Sequence, residues 1–262
     1  MSETIDSAIL SATWALPASA VTIEGVRVNL PTHEEAITQA LSRAAAGRGF
    51  AMYTLNLDHL AKLNTNLAFR NAYLRADFVT ADGWPIAWLA RRQGGTFERV
   101  CGADLVAPLC AAAAASGVPI AFLGPRPETQ AAGIATLKAR SPALEVALAD
   151  ASDVADDLDA ASLAALADRL NASGARIAFL CLGAPKQEKL ADRLARMCPS
   201  IGFICVGAAL DFISGRSPRA PDWLQRRNLE WVWRLWREPR RLAWRYWLSA
   251  LAFARVLPGA VG

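Results

Sequence analysis

The chain has 262 residues, 53% of them hydrophobic, and a formal net charge of +4. That length suits one large domain or two small ones with a buried core, and no run of ~18 uninterrupted apolar residues marks a transmembrane helix. Two histidines and five scattered cysteines, at no zinc-like or disulfide-like spacing, argue against a His-rich metal centre and a disulfide framework and suit a reducing cytoplasm.

Residues 1–20 read as a loose leader. Ile9, Leu10, Trp14 and Leu16 are apolar, but Glu3 and Asp6 stand where a secretory signal carries basic residues. Val21–Ile23 and Val26–Asn29 around Glu24-Gly25 predict a small hairpin. Thr32 with Glu35 three residues on predicts a capping box and a first helix. From there strands and helices alternate. The pattern predicts a strand over 50–55, then one helix over 58–74 with Leu60, Leu63, Leu67 and Leu74 turned inward. A short strand over 78–80 leads to a helix over 85–93 closed by Gly94, and an alanine-rich helix over 103–116 follows. Further strands are expected over 118–123, 144–148, 177–182 and 201–206, with helices over 128–140, 160–173 and 186–197 between and after them. Short apolar strands separated by amphipathic helices predict an α/β fold: a Rossmann-like parallel sheet flanked by helices. Pro142 and the acidic run from Asp150 to Asp159 mark loops. The division expected is a leader (1–20), an α/β catalytic core (21–214) and a C-terminal helical appendage (215–262).

The appendage has its own chemistry. It holds six of the nine tryptophans, and from Arg216 to the end there are ten arginines, no lysine and three acids. Such asymmetry points to an anionic partner. Leu229, Val232, Trp233 and Trp236 fall at helical spacing, with Arg227, Glu230, Arg234, Arg237 and Arg241 on another face. Pro239 suits the first turn of a second helix, which would carry Trp244, Trp247, Leu248 and Leu251 on one side. One reading is an interfacial element that rests Trp233, Trp236, Trp244, Trp247, Arg237 and Arg245 on an anionic membrane surface. Another is a helical hairpin packed on the core with solvated arginines. A nucleic-acid surface is the third. No recognised nucleic-acid module precedes the tail, so nucleic acid is not taken as a partner.

In parallel sheets ligands bind beyond the carboxyl ends of the strands. Thr54 and Asn56, Asp82-Gly83, Gly124-Pro125, Gly183 to Glu188, and Gly207 with Asp211 all fall there. Gly183 followed by Pro185 at the start of a helix, with Lys186 and Gln187 as donors, suits a phosphate, and equally suits an empty strand–helix turn. Asp82, three residues before Pro85, is either a functional carboxylate or a helix cap. Arg99 is an anion ligand or one half of a surface ion pair, and His59 reads as a helix-face residue. Asp157-Leu158-Asp159 fits a D-x-D metal signature, yet solvation and capping in an acidic loop explain it. No GxGxxG follows a strand, which argues against a dinucleotide oxidoreductase. Neither metal nor cofactor is expected.

These segments together resemble a family. Thr54-Leu-Asn56, Ala81-Asp82-Gly83, Glu98-Arg99-Val-Cys-Gly102-Ala-Asp104, Leu182-Gly-Ala-Pro-Lys-Gln-Glu188, Val206-Gly207 with Asp211, Arg219-Ala-Pro221 and Leu229-Glu-Trp231 with Arg234 and Glu238-Pro-Arg-Arg241 occur in order. From Val21 to Tyr246 the chain is similar to the WecG/TagA/CpsF glycosyltransferases (glycosyltransferase family 26). The resemblance implies an inverting, metal-independent enzyme. It would pass a sugar from UDP to an undecaprenyl-diphosphate-linked sugar, a polyprenyl-diphosphate acceptor, at the cytoplasmic membrane face during polysaccharide synthesis. It implies that Asp82 is the base, that Thr54 and Gln187 are active-site residues, and that Arg234 and Arg241 close over the donor diphosphate. It leaves open the donor sugar (N-acetylmannosamine-type or glucose) and the oligomeric state, a homo-oligomer included.

Three departures stand out. A third appendage arginine of some members falls on Trp244, with Arg245 beside it. The family's frequent His-Gly-Tyr/Phe segment is replaced by Ala149-Asp-Ala-Ser-Asp153. Cys101 stands where Thr or Ala is frequent. A non-catalytic nucleotide-binding membrane adaptor is the rival from another class, and UDP-sugar turnover separates the two.

Overall fold

The computed structural model describes residues 20–152, 158–221, 223–224, 227 and 229–257, without the side chains of Arg234 and Arg241. The expected leader thus lies outside the described residues except for Ala20. Val21, Ile23, Val26 and Val28 point inward from the expected hairpin, strands β1 (Val21–Ile23) and β2 (Val26–Val28), which turns at Glu24 and Gly25 with φ of 51° and 81°. Thr32 caps α1 (His33–Ala45) by accepting from the Glu35 backbone N–H at 3.1 Å, the first half of the expected box.

The core runs β3 (Phe50–Leu55), α2 (Leu57–Leu63), α3 (Leu67–Arg75), β4 (Phe78–Ala81), α4 (Trp84–Arg92), α5 (Gly102–Ala115), β5 (Ile120–Leu123), α6 (Pro127–Arg140), β6 (Val146–Asp150), α7 (Ala160–Ser173), β7 (Ile177–Leu180), α8 (Lys186–Met197), β8 (Gly202–Cys205) and α9 (Ala209–Ile213). The six longer strands form the expected parallel sheet, in the order β4-β3-β8-β7-β5-β6. Side chains on its two faces sort into two cores. One joins β1–β2 with α2, α3, α4, α7 and α8; the other joins α1, α5, α6 and α9. Crossovers from β3 to β4, β6 to β7 and β7 to β8 move one way along the sheet and run on the first face. The crossover from β5 to β6 moves the other way and runs on the second, as right-handed connections require. Phe50, Phe122, Phe179 and Phe203 are fully buried on the sheet, each contributing about 1.5–3 kcal/mol.

The helix expected over 58–74 is two helices. Asn66 accepts from the Phe69 N–H at 3.0 Å and starts α3 afresh. The restart resets the helical phase. Leu60 and Leu63 are buried as expected, but Leu67 and Leu74 are 73% and 56% exposed, and Phe69, Ala72 and Tyr73 face the core instead.

The appendage contains α10 (Glu230–Arg237) and α11 (Pro239–Val256), with Pro239 in the first turn of α11 as expected. Helix α11 lies along α2. Leu242, Ser249 and Ala252 are buried on its inner side. Phe253 sets its edge against Trp84 and Trp88, each with ring centroids 6.1 Å away. On the opposite side Trp244, Trp247, Leu248 and Leu251 are 39–67% exposed. The docked hairpin and the exposed apolar stripe, two separate expectations for this segment, are thus the two faces of one helix. Trp231 meets Tyr246 across α10 and α11 at 6.0 Å. Trp236 is exposed, and Trp233 is half-buried under the Arg237 guanidinium.

Candidate active site

β3 leads into α2 on one face of the sheet, and its neighbour β8 leads into α9 on the other. Adjacent strands whose connections leave to opposite faces open a crevice at their carboxyl ends. The order of the strands puts Asp82 (after β4), Thr54 and Asn56 (at β3), Gly207 (after β8), Gly183 (after β7) and Gly124 (after β5) along that edge in one row.

Asp82 sits at the head of the row. Its backbone N–H donates to Leu55 O at 2.8 Å, which carries the β3–β4 pairing one residue further. Asn56 then uses both ends of its amide. Oδ1 accepts from the His59 N–H at 3.0 Å and caps α2, so Nδ2 faces the Asp82 carboxylate, 3.4 Å from Oδ2. Gly83, with φ of 90°, occupies the N-cap of α4, so that position itself offers no capping side chain. The Cys101 thiol lies near the Asp82 carboxylate, and burial together with the carboxylate pushes the thiol pKa well up.

Arg99 donates to Cys101 Sγ at 2.9 Å and lies 3.4 Å from Asp104 of α5. Arg219, from the Arg-Ala-Pro segment, pairs with the same Asp104 and lies over the Phe212 ring. Arg99 is thus one half of an ion pair, the second of its two expected readings, and one of two guanidiniums on Asp104 at the start of α5. Gly102 permits the approach: a Cβ there would stand 2.9 Å from the Val206 Cα at the end of β8.

Behind the crevice, Thr54 is buried and its carbonyl accepts from Tyr73 Oη at 3.2 Å. Tyr73 Oη in turn lies 2.7 Å from His59 Nδ1. His59 is on a face of α2, as expected, and that face is the buried one. It is buried against Phe69 and Tyr73, and burial lowers its pKa to about 3, so it is neutral. Its partners lie 10 and 14 positions along the chain, beyond any helical period.

Gln187 is also buried. Its Oε1 accepts from the Gly207 N–H at 3.0 Å, and its Nε2 donates to Glu188 Oε1 at 2.8 Å. Pro185 precedes α8 as its N-cap, one position earlier than expected, and Lys186 opens the helix. Gly183 has open space where a Cβ would point. Lys62 of α2 donates to Ala184 O at 3.1 Å and ties this turn to α2. Further along, the Gly124 carbonyl accepts from Gln130 Nε2 at 2.9 Å. Asp211 faces Arg216 and Arg126. Burial raises its pKa, and the two arginines oppose that rise.

The appendage reaches the same edge. Arg245 Nε lies 2.8 Å from Asp58 Oδ1, and Lys62 Nζ lies 2.5 Å from Oδ2. Asp58 is held below the usual carboxylate range by Arg245 and Lys62 against the effect of burial. Arg245, expected at the membrane, thus also ties α11 to α2 through Asp58. Arg234 and Arg241 stand on α10 and α11, but their side chains fall outside what the structure describes. Arg219, Asp58 and Glu188 were not singled out as site residues from sequence, and Cys101 only as a departure from the family. Three of these four lay inside the quoted motifs, which was the available signal.

Among the described residues no group of three His, Cys, Asp or Glu side chains is placed to hold a metal. Asp157 of the D-x-D sequence lies outside the described residues. Asp159 caps α7 by accepting from the Ser162 N–H at 2.8 Å. Where the family's frequent His-Gly-Tyr/Phe segment is replaced, Asp150 closes β6. It accepts from the Ser152 N–H and pairs with Arg169, lining a small cavity with Leu123, Leu158 and Ser162.

A carboxylate oriented by an amide and a thiol, beside gathered guanidiniums, can take a proton from one group while stabilising an anion on another. The family model described as Glycosyl transferase WecG/TagA/CpsF family matches residues 21–258, from the hairpin through α11. With nearly the whole chain matched, the protein belongs to the WecG/TagA/CpsF glycosyltransferases and is a transferase of cell-surface polysaccharide synthesis.

Proposed function

We propose that the protein is an inverting, metal-independent glycosyltransferase. It moves a sugar, glucose or an N-acetylmannosamine type, from UDP to an undecaprenyl-diphosphate-linked sugar at the cytoplasmic face of the plasma membrane. The observation that carries this reading is the setting of Asp82. It lies at the crevice edge, its Oδ2 3.4 Å from the Asn56 amide and beside the Cys101 thiol, and Gly83 holds the N-cap position of α4.

In this reading Asp82 takes the proton of the acceptor hydroxyl as the hydroxyl oxygen attacks the anomeric carbon. The bond from that carbon to the UDP oxygen breaks on the opposite side, which inverts the configuration. The negative charge that grows on the departing diphosphate needs fixed positive groups. Arg99 and Arg219 gather nearby, Lys186 opens α8 beside the open space at Gly183, and Arg234 and Arg241 would close from the appendage. Thr54, Gln187 and Gly207 line the middle of the row, and Gly124 and Asp211 its far end.

The acceptor is a lipid, and the appendage suits a lipid surface. The inner side of α11 is docked, while its outer side presents Trp244, Trp247, Leu248 and Leu251, with Arg237 and Trp236 on α10 exposed too. Indole rings settle at headgroup depth, and each basic residue near an anionic leaflet contributes about 1 kcal/mol. Among the described residues no helix is long and apolar enough to cross a membrane.

The experiment that tests the proposal is UDP release from UDP-glucose and UDP-N-acetylmannosamine, with a lipid-linked acceptor and excess EDTA. Turnover is expected to be the same with and without chelator. Loss of turnover in EDTA, restored by manganese or magnesium, would contradict the guanidinium-based mechanism, and no turnover of any UDP-sugar would favour the adaptor.

A further inference from the structure

The side chain of Glu188 has no exposure to solvent, and its Oε2 meets no hydrogen-bond donor among the described residues. A carboxyl group in that position costs stability. The packing of α8 does not require it, since Leu190, Ala191 and Leu194 fill the inward face of the same helix. Its other oxygen makes one directed contact, with Gln187 Nε2 at 2.8 Å. Gln187 Oε1 in turn accepts from the Gly207 N–H. A carboxylate can only accept, so it fixes which end of the amide faces Glu188 and which faces Gly207. The Glu188 carbonyl accepts from Tyr53 Oη at 3.2 Å, next to Thr54 on β3. One residue thus joins the ends of β3 and β8, the two strands that bound the crevice.

We propose that Glu188 is a positioning residue of the transferase: its carboxylate orients the Gln187 amide, and through it the Gly207 turn, in the geometry that transfer requires. The inference rests on the crevice being the site of transfer. Glu188 itself touches neither substrate.

The groups that face Glu188 come from every element packed around it. Lys62 of α2 favours the charged form and Asp58 of α2 opposes it; Tyr53 on β3, Tyr73 on α3 and Cys205 on β8 have ionisations pushed well up and stay neutral. Burial dominates and pushes the Glu188 carboxyl from its ordinary 4.5 up to about 7. The sign follows from that rise. The folded state favours the protonated form, so its stabilising effect is complete below about pH 4.5 and is lost as the pH passes through 7. The charged form, present above 7, accepts more strongly from Gln187.

The test uses the full chain and two readouts. In ¹⁵N NMR the Gly207 amide should shift with pH around 7 in the wild type, and the shift should vanish in Glu188→Gln. In UDP release, wild-type kcat should rise across the same range. Glu188→Gln, which retains an acceptor oxygen, should keep most of the turnover with that rise gone. Glu188→Leu removes the acceptor and should lower kcat by about 10- to 100-fold. A Gly207 amide that does not titrate, or a rise in kcat that survives in Glu188→Gln, would overturn the inference. So would a folded Glu188→Leu protein with wild-type kcat. If the leucine variant fails to fold, the glutamine variant decides alone. Asp82→Asn run in parallel separates the two claims: normal turnover there removes the crevice as the site, whereas a dead Asp82→Asn beside normal Glu188 variants removes only the role of Glu188.

Discussion

Asp82→Asn should lower kcat by about 10²–10⁴-fold, the range general-base catalysis contributes, and leave donor affinity nearly unchanged. Asparagine keeps the size of the side chain and can still meet Asn56 and Cys101, but it cannot take a proton from the acceptor. Because the base acts on the acceptor hydroxyl, the UDP-sugar should bind as before. Stability should change little. Gly83 holds the N-cap position of α4, and Asn and Asp cap comparably. Measuring kcat, donor Kd and Tm on the same preparation makes the outcome decisive. Near-normal turnover in a stable variant would leave the chemistry without its carboxylate.

Ending the chain after Ser214 should remove nearly all transfer while leaving a folded core. All six strands of the parallel sheet and the helices α1 to α9 lie before that point, so the sheet closes without the appendage. The Tm should fall, because Ala252 and Phe253 leave the core they share with α2 and α4, and Asp58 loses Arg245. Binding to anionic vesicles should be lost with the Trp face. Circular dichroism, vesicle co-sedimentation and UDP release check the three parts. Full activity of the truncated chain on a soluble acceptor would mean that the appendage only anchors. In the full chain, Arg234→Glu or Arg241→Glu should cut transfer with vesicle binding intact. Wild-type behaviour of both variants would assign these arginines to a solvated face.

The fold was legible because its signals are local. Apolar runs such as Ile177 to Leu180 are buried on both sides and can only be interior strands, and Pro239 marks the start of α11 from its own chemistry. The split at Asn66 was missed because leucine spacing carries across it, although the Asn-Thr-Asn sequence there held a capping signal. The site was legible as a set of strand ends, and illegible in its pairings. Nothing near Arg245 announces Asp58, 187 positions earlier, or near Arg219 announces Asp104, 115 positions earlier. Such partnerships exist only after the sheet has ordered its strands. Burial was illegible for the same reason. The sequence places His59 on a helix face and Glu188 in a motif, and it is the packing of α3 over α2 and of α8 over β3 and β8 that buries them.

The central claim is transfer from a UDP-sugar to a lipid-linked sugar, and the most direct measurement is the mass of the acceptor. A panel of UDP-sugars is incubated with a short-chain polyprenyl-diphosphate sugar, and the products are read by mass spectrometry. One donor should add a single sugar residue to the acceptor, with release of one UDP and inversion at the transferred anomeric carbon. An acceptor of unchanged mass with every donor, or a product with retained configuration, would contradict that claim.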